Sequence, residues 1–168
     1  MIPVVSIIGH SNSGKTTLIS QLLPALVARG LHVGTVKHSP HLDRLDARGS
    51  DTAAHFDAGS QRVLLRGETG SALFWRHGLA DLSADIDRLF ADCDLVIVEG
   101  AKHGPFPKIE VFRRVGDMTR EPLAGEIDVS AVVTAERVAL PDGLPLFKPT
   151  EIERIADAVE VLTFEGEI

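Results

Sequence analysis

Eight residues near the start of the chain have the types and spacing to hold a phosphate group: Gly9-His10-Ser11-Asn12-Ser13-Gly14-Lys15-Thr16, directly behind the apolar run from Pro3 to Ile8. They read G-x-x-x-x-G-K-T, the pattern of a phosphate-binding loop. Gly9 and Gly14 permit backbone conformations and close approaches that a Cβ would block. The loop amides then turn inward as a nest for phosphate oxygens. Lys15 is suited to bridge the β- and γ-phosphates, and the Thr16 hydroxyl to ligate Mg²⁺. A helix opening near Lys15 aims its positive dipole end at the same anion. The strand-like run before the motif and the helical apolar spacing of Thr17 to Leu23 after it mark a nucleotide site, not a glycine-rich turn with a surface lysine.

A second landmark is Asp94-Leu-Val-Ile-Val-Glu99-Gly100. Four apolar residues ending in a carboxylate predict a buried strand that delivers an acid to the carboxyl edge of a sheet. In a phosphate-loop protein such an acid holds Mg²⁺, directly or through water. Gly100 is placed to give an amide to the γ-phosphate if the loop closes.

The elements that must position these groups follow from periodicity. Leu18, Ile19, Leu22, Leu23, Leu26 and Val27 predict the inner face of a first helix, interrupted by a kink or restart at Pro24 and stopped at Arg29-Gly30. Leu31 to Val36 reads as the second strand, making a right-handed parallel strand–helix–strand unit. Asp51 to Asp57 reads as a short helix ended by Ala58-Gly59. Gln61 to Arg66 and Ser71 to Arg76 form a hairpin around Gly67-Glu-Thr-Gly70. Trp75 fits a core or interface anchor better than a base-stacking platform. Leu82, Ile86, Leu89 and Phe90 mark a helix capped by Asp81 or Ser83. Lys108 to Arg113 alternates like a half-exposed strand, Val129–Val133 and Pro145–Phe147 are short strands, and a last helix follows a Thr150 cap with Glu153 completing a capping box. Together they predict an α/β, three-layer P-loop fold: a mostly parallel sheet with helices on both faces, as one domain over residues 1–168.

Between Lys37 and Gly59 the patterning weakens and polar residues gather: Lys37, His38, His41, Asp43, Asp46, Arg48, Asp51 and His55. Leaving a strand end beside the phosphate loop, this stretch suits a nucleotide-responsive or substrate-binding segment. A transition-metal site on His38 and His41 with Asp43 or Asp46, and a plain solvated loop, are the other readings. Lys102 and Lys108 suit contacts to nucleotide, phosphorylated substrate or partner, or to solvent alone.

Composition narrows the class. In 168 residues, 44% hydrophobic, there is enough apolar material for a substantial core. No apolar run approaches the ~18 residues of a membrane span. The N-terminal apolar run lacks a basic leader and passes straight into the phosphate loop, so no signal peptide is expected. Cys93 has no second cysteine to pair with and reads as a small buried residue. A cytoplasmic protein fits all of this. The net charge of −7 argues against extended nucleic-acid binding and makes any phosphate site a local positive pocket.

Three blocks together resemble one family, the molybdopterin-guanine dinucleotide biosynthesis adapter proteins: Gly9 to Leu18; Val33-Gly-Thr-Val-Lys-His38 continuing to Ala58-Gly59; and Asp94 to Lys102 with Pro107-Lys-Ile-Glu-Val-Phe-Arg113. The resemblance implies a homodimeric GTP-binding protein with weak GTPase activity. Its partner would be the guanylyltransferase that joins GMP to molybdopterin, with molybdopterin itself a candidate ligand. Carried over by position, Gly9, His10, Ser11, Asn12, Ser13, Gly14, Lys15, Thr16 and Thr17 would hold the phosphates. Thr16 and Glu99, with Asp46, would surround Mg²⁺. Where the family shows D-x-x-G-K-D-S/T this chain has Asp46-Ala-Arg-Gly49-Ser50-Asp51-Thr52, so a serine replaces the lysine. Two further resemblances compete: a small-molecule kinase or ATP-dependent ligase like dethiobiotin synthetase, which shares the V-E-G strand end, and a nickel-chaperone type of metal-delivery GTPase. No N-K-x-D guanine signature is present; Thr134-Ala-Glu136 and Lys148-Pro-Thr-Glu151 are candidate segments around a base, and GTP as the nucleotide rests on the family resemblance.

Overall fold

Val5 and Ile7 alternate with Ser6 and Ile8, and that two-residue period sorts the whole main sheet into two interiors. The computed structural model describes residues 1–39, 46–47, 49–76, 81–116 and 119–165. In chain order its elements are β1 (Val4–Ile8), α1 (Lys15–Ala28), β2 (Val33–Lys37), α2 (Asp51–Asp57), β3 (Arg62–Arg66), β4 (Ser71–Trp75), α3 (Leu82–Leu89), β5 (Leu95–Glu99), β6 (Lys108–Val111), β7 (Ala131–Val133), β8 (Leu146–Phe147) and α4 (Ile152–Glu160). A 3-10 turn at Leu123–Gly125 and a π-helical turn at Val161–Glu165 complete them. Contacts gather the chain into two compact units, Met1–Ser39 with Ile86–Ile168, and Pro40–Asp85.

The first unit holds a six-stranded sheet in the order β2-β5-β1-β6-β7-β8. Every pairing in it is parallel, so all six strands release their carboxyl ends at one edge. This is the expected α/β P-loop-type architecture, with a wholly parallel main sheet. On one face, Val5, Ile7, Ile97 and Ile109 pack with Leu18, Leu22 and Leu26 of α1 and Ile155 and Val159 of α4. On the other, Ile8, Phe112 and Val132 meet Ala124 and Val129 around the 3-10 turn.

Four local expectations change. The first helix does not restart at Pro24: it is one element from Lys15 to Ala28. Pro24 and Ser20 are both exposed, so the carbonyl that loses its partner is left to water. Val27 is 57% exposed and does not belong to the inner face. The final helix is capped by Glu151, not Thr150, and Glu151 turns its carboxylate back to the Lys148 amide (2.7 Å). Glu153 reaches instead to Arg29 at 2.8 Å, where Asp157 (2.8 Å) and Glu160 (2.6 Å) join it and raise the guanidinium pKa above its ordinary value. This cluster ties the end of α1 to α4. Finally β6 is an interior strand, not a half-exposed one. Its alternation marks two buried faces, and the residue that mimics an exposed position is Glu110, which is fully buried.

The second unit contains α2 and the β3–β4 hairpin, paired antiparallel from Arg62↔Trp75 to Arg66↔Ser71 and closed by Gly67 N–H on Gly70 O at 2.8 Å, as expected. Ser50 caps α2, accepting the Ala53 amide at 3.1 Å and donating to Asp46 at 2.8 Å. Trp75 is half-buried, and the Arg76 guanidinium lies 4.2 Å from the Phe56 ring centroid. Asp81 is the residue that caps α3, taking the Ser83 amide at 3.3 Å.

Candidate nucleotide site

Between β1 and α1 the chain makes the loop that the motif predicts. Gly9 (φ +140°) passes so close to β6 that a Cβ there would lie 2.2 Å from the Val111 carbonyl oxygen. Only glycine fits. Gly14 (φ +104°) caps α1 with no side chain and no acid in the first turn. The amides of that turn are thus left to an anion. Asn12 takes the left-handed conformation (φ 62°) that its residue type tolerates. Ser11, Asn12, Thr16 and Thr17 are exposed, whereas Ser13 is buried and its hydroxyl has no hydrogen-bond partner among the described residues. A buried orphan hydroxyl beside a glycine cradle is what a phosphate oxygen would satisfy.

Lys15, the first residue of α1, folds back over the loop and donates to the carbonyls of Gly9 (3.0 Å) and His10 (2.7 Å). Burial lowers its pKa below the ordinary 10.5 and the Lys37 charge adds to that, while Glu99 opposes it. Thr16 donates its hydroxyl to Glu99 Oε2 at 2.9 Å. The strand end and the helix start therefore meet, as the two landmarks predict. Hydroxyl and carboxylate oxygens are the hard donors Mg²⁺ selects, so the pair fits that ion.

The Gly100 amide donates to Ile7 O at 3.0 Å, so in this state it extends the sheet and does not face the loop. Asp46 lies in the second unit, where its carboxylate accepts from Ser50, Thr52 and the Ala47 amide. The serine that replaces the family lysine is thus the helix cap that engages Asp46. His41, Asp43 and Arg48 lie outside the described residues. No cluster of three or more His, Cys, Asp or Glu suited to a metal forms among the described residues. Lys108 bonds the Phe106 carbonyl (2.9 Å) and Lys102 is exposed. Cys93 is half-buried; burial, with Asp92 and Asp94, raises its thiol pKa.

A cleft of about 240 Å³ opens beside the loop, bordered by Ser13, Thr17, Gln21, Arg113, Glu136 and Pro149. Glu136 and Pro149 come from the two late segments expected to surround a base. Glu136 is held by Arg114, through its amide (2.7 Å) and its guanidinium (3.0 Å). Arg114 also bonds Arg120 O (3.0 Å) and Glu121 (3.2 Å) and lies over the Phe112 ring. His10 of the loop meets the same segment, its Nε2 being 3.1 Å from Glu121 O.

Two residues here escape sequence reasoning. Arg114 sits just past the last quoted motif residue. Glu110 reads as the polar member of an alternating strand, yet it is buried and accepts the Leu123 (2.7 Å) and Ala124 (2.9 Å) amides, pinning the 3-10 turn to the sheet beside the phosphate loop. The signal available was its place in a P-K-I-E-V run whose neighbours are apolar on both sides.

The family model described as molybdopterin guanine dinucleotide synthesis protein B (MobB) matches residues 4–135 of the chain. The chain belongs to this family. A molybdopterin-guanine dinucleotide biosynthesis adapter protein of Haemophilus influenzae is 37% identical over 163 residues, covering 95% of this chain and 88% of the relative. The Escherichia coli adapter protein is 32% identical over 165 residues, covering 95% and 92%. Among solved structures, a molybdopterin-guanine biosynthesis protein B superposes with a TM-score of 0.72 at 31% identity, over 95% of this chain and 99% of that one. Bacillus subtilis MobB superposes at 0.72 and 26% identity, over 94% and 96%. The MobB match spans both landmarks, Gly9–Thr16 and Asp94–Gly100, and the Thr134–Glu136 segment up to Ala135. No helix among the described residues is long and apolar enough to cross a membrane.

Proposed function

We propose that this MobB-family chain is a GTP-binding adapter with slow GTPase activity that assists the guanylyltransferase step of molybdopterin guanine dinucleotide synthesis. The observation that carries the reading is the phosphate loop itself: a glycine cradle with an orphan hydroxyl at Ser13, a folded-back Lys15, and Thr16 on the Glu99 carboxylate. The adjoining cleft leaves room for a nucleoside. Glu136 is the acid among its described lining residues, and a carboxylate suits guanine, whose ring and amino N–H groups both donate, better than adenine. In this reading the protein works in the cytoplasm as a homodimer, and GTP loading governs its grip on the transferase.

Thr16 and Glu99 would hold Mg²⁺, which would supply charge neutralisation to the phosphate chain. Lys15 and the loop amides would bind and orient the phosphate chain. The sequence alone assigns no glutamine or arginine to positioning a water, which suits slow turnover.

Calorimetric titration with GTP, GDP and ATP, each with Mg²⁺ and with chelator, tests the proposal. GTP should bind at least about tenfold more tightly than ATP, a difference of ~1.4 kcal/mol. Binding of ATP in preference would support a kinase or ligase instead, and binding of neither would remove the nucleotide reading. Failure to bind a molybdopterin guanylyltransferase with GTP present would remove the adapter role. In the same assay Glu99→Ala should lose most of the Mg²⁺-dependent gain in GTP affinity, about tenfold or more, while its chelator-measured affinity stays near wild type.

A further inference from the structure

β2 ends at Lys37 directly beside the Glu99 that ends β5; the two are Cα partners in the parallel ladder. Lys37 Nζ lies 3.3 Å from Glu99 Oε1, while Oε2 takes the Thr16 hydroxyl at 2.9 Å. One carboxylate is thus shared between the start of α1 and the end of β2. Its side chain is 15% exposed, whereas that of Lys37 is 68% exposed and has freedom to swing. The charge of Lys37 also reaches Lys15. Two ammonium groups therefore converge on one carboxylate, next to the glycine loop at the start of α1. That leaves a surplus of positive charge in a chain whose net charge is −7. Packing like charges together is unfavourable until a polyanion neutralises them, and a nucleoside triphosphate is such a polyanion.

An exposed ion pair alone contributes little, so the pairing with Glu99 does not by itself account for a lysine at this position. Lys15 reaches the loop from α1, and Lys37 reaches Glu99 from the opposite strand end. The two cations are thus set to grip a phosphate chain at different points, with Lys15 lying over the loop carbonyls of Gly9 and His10.

We propose that Lys37 is a catalytic residue that contacts the terminal phosphate of the bound nucleoside triphosphate. The inference rests on the nucleotide-binding reading above. In hydrolysis, a water oxygen bonds to the γ-phosphorus as the bond from that phosphorus to the β–γ bridging oxygen breaks. The bridging oxygen leaves on the diphosphate, and a water proton ends on the inorganic phosphate or in solvent. Charge spreads over the γ-phosphoryl oxygens, where the Lys37 ammonium stabilises it from within the same chain, in the role that an arginine finger plays elsewhere.

The test compares wild type with Lys37→Ala, Lys37→Gln and Lys37→Arg, using GDP, GTP and a non-hydrolysable GTP analogue with Mg²⁺. Affinity for GDP should stay within about twofold. Affinity for GTP and its analogue should fall about tenfold in Lys37→Ala and Lys37→Gln, and single-turnover hydrolysis at saturating GTP about 100-fold. Lys37→Arg should recover most of the GTP affinity. The exposed side chain makes a folding defect an unneeded explanation, and unchanged thermal midpoints check this. Equal losses for GDP and GTP, or no loss for either, would mean that Lys37 only braces Glu99 and would overturn the inference. Wild type that binds neither nucleotide overturns the phosphate-site reading first, and this inference with it.

Discussion

Lys15→Ala is expected to weaken GTP binding about 100- to 1,000-fold while leaving the protein folded. Two or three charge-assisted hydrogen bonds to phosphate, at ~1.5–3 kcal/mol each, set that scale. The structural cost is small by comparison. Lys15 is half-buried on the loop and its two bonds go to the carbonyls of Gly9 and His10, which water can solvate in its place. Titration calorimetry reads the first effect and a thermal melt the second. A variant that melts normally and binds GTP as wild type does would move the nucleotide site elsewhere. A variant that melts early would show that the Lys15 bonds to the Gly9 and His10 carbonyls hold the loop together.

Glu110→Ala is expected to have the largest effect on stability, roughly 2–4 kcal/mol. The side chain is fully buried and accepts the amides of Leu123 and Ala124, so its loss strands one buried and one part-buried donor and opens a cavity beneath the 3-10 turn. Relief from burying a charge offsets part of this. For a chain of this length the thermal midpoint should fall by roughly 5–15 °C. The segment leading into the turn carries Glu121, whose backbone meets His10 and whose side chain meets Arg114, so nucleotide affinity should fall alongside stability.

The pH dependence at Glu110 has a definite sign. Burial raises the Glu110 pKa above 4.5, partly opposed by the two amides and the His10 charge. The folded state therefore holds this proton more tightly than the unfolded chain. Its contribution is full below about pH 4.5 and is lost as pH rises through the folded value. The stability difference between wild type and Glu110→Gln, followed by urea unfolding between pH 4 and pH 8, should shrink as pH increases. A difference that grows with pH would show that the amides, not burial, dominate the carboxyl group.

Much of this molecule is written in local pattern. The spacing from Gly9 to Thr16 and the apolar run ending in Glu99 each report a short-range geometry that few other residues satisfy. The strand, the loop and the helix start follow from that, and so does the meeting of Thr16 with Glu99, because parallel strands release their ends at a common edge. The hairpin at Gly67–Gly70 is legible for the same reason, since a turn is decided by the residues within it. Local pattern falls short where the deciding partner is distant. Thr150 and Glu153 look like a capping box, but Arg29, more than 120 positions away, takes Glu153. Val27 fits the helix stripe, yet it lies largely in water.

Glu110 is the sharpest case. An alternating strand with a carboxylate has two readings, one face in solvent or two different interiors, and the sequence of β6 is the same in both. Only the addition of β7 and the 3-10 turn on its outer side decides for the second, by supplying two amides to a buried charge. Lys37 is similar: residue type and neighbourhood place it in a polar stretch, but the register of β2 on β5 is what sets it against Glu99. By itself, then, the sequence determined that a phosphate-loop geometry forms near Lys15 and which acid ends the strand beside it, because those are properties of short segments. The tertiary structure decided which charges share that site and which carboxylate is buried beneath it, because those depend on contacts between segments far apart in the chain.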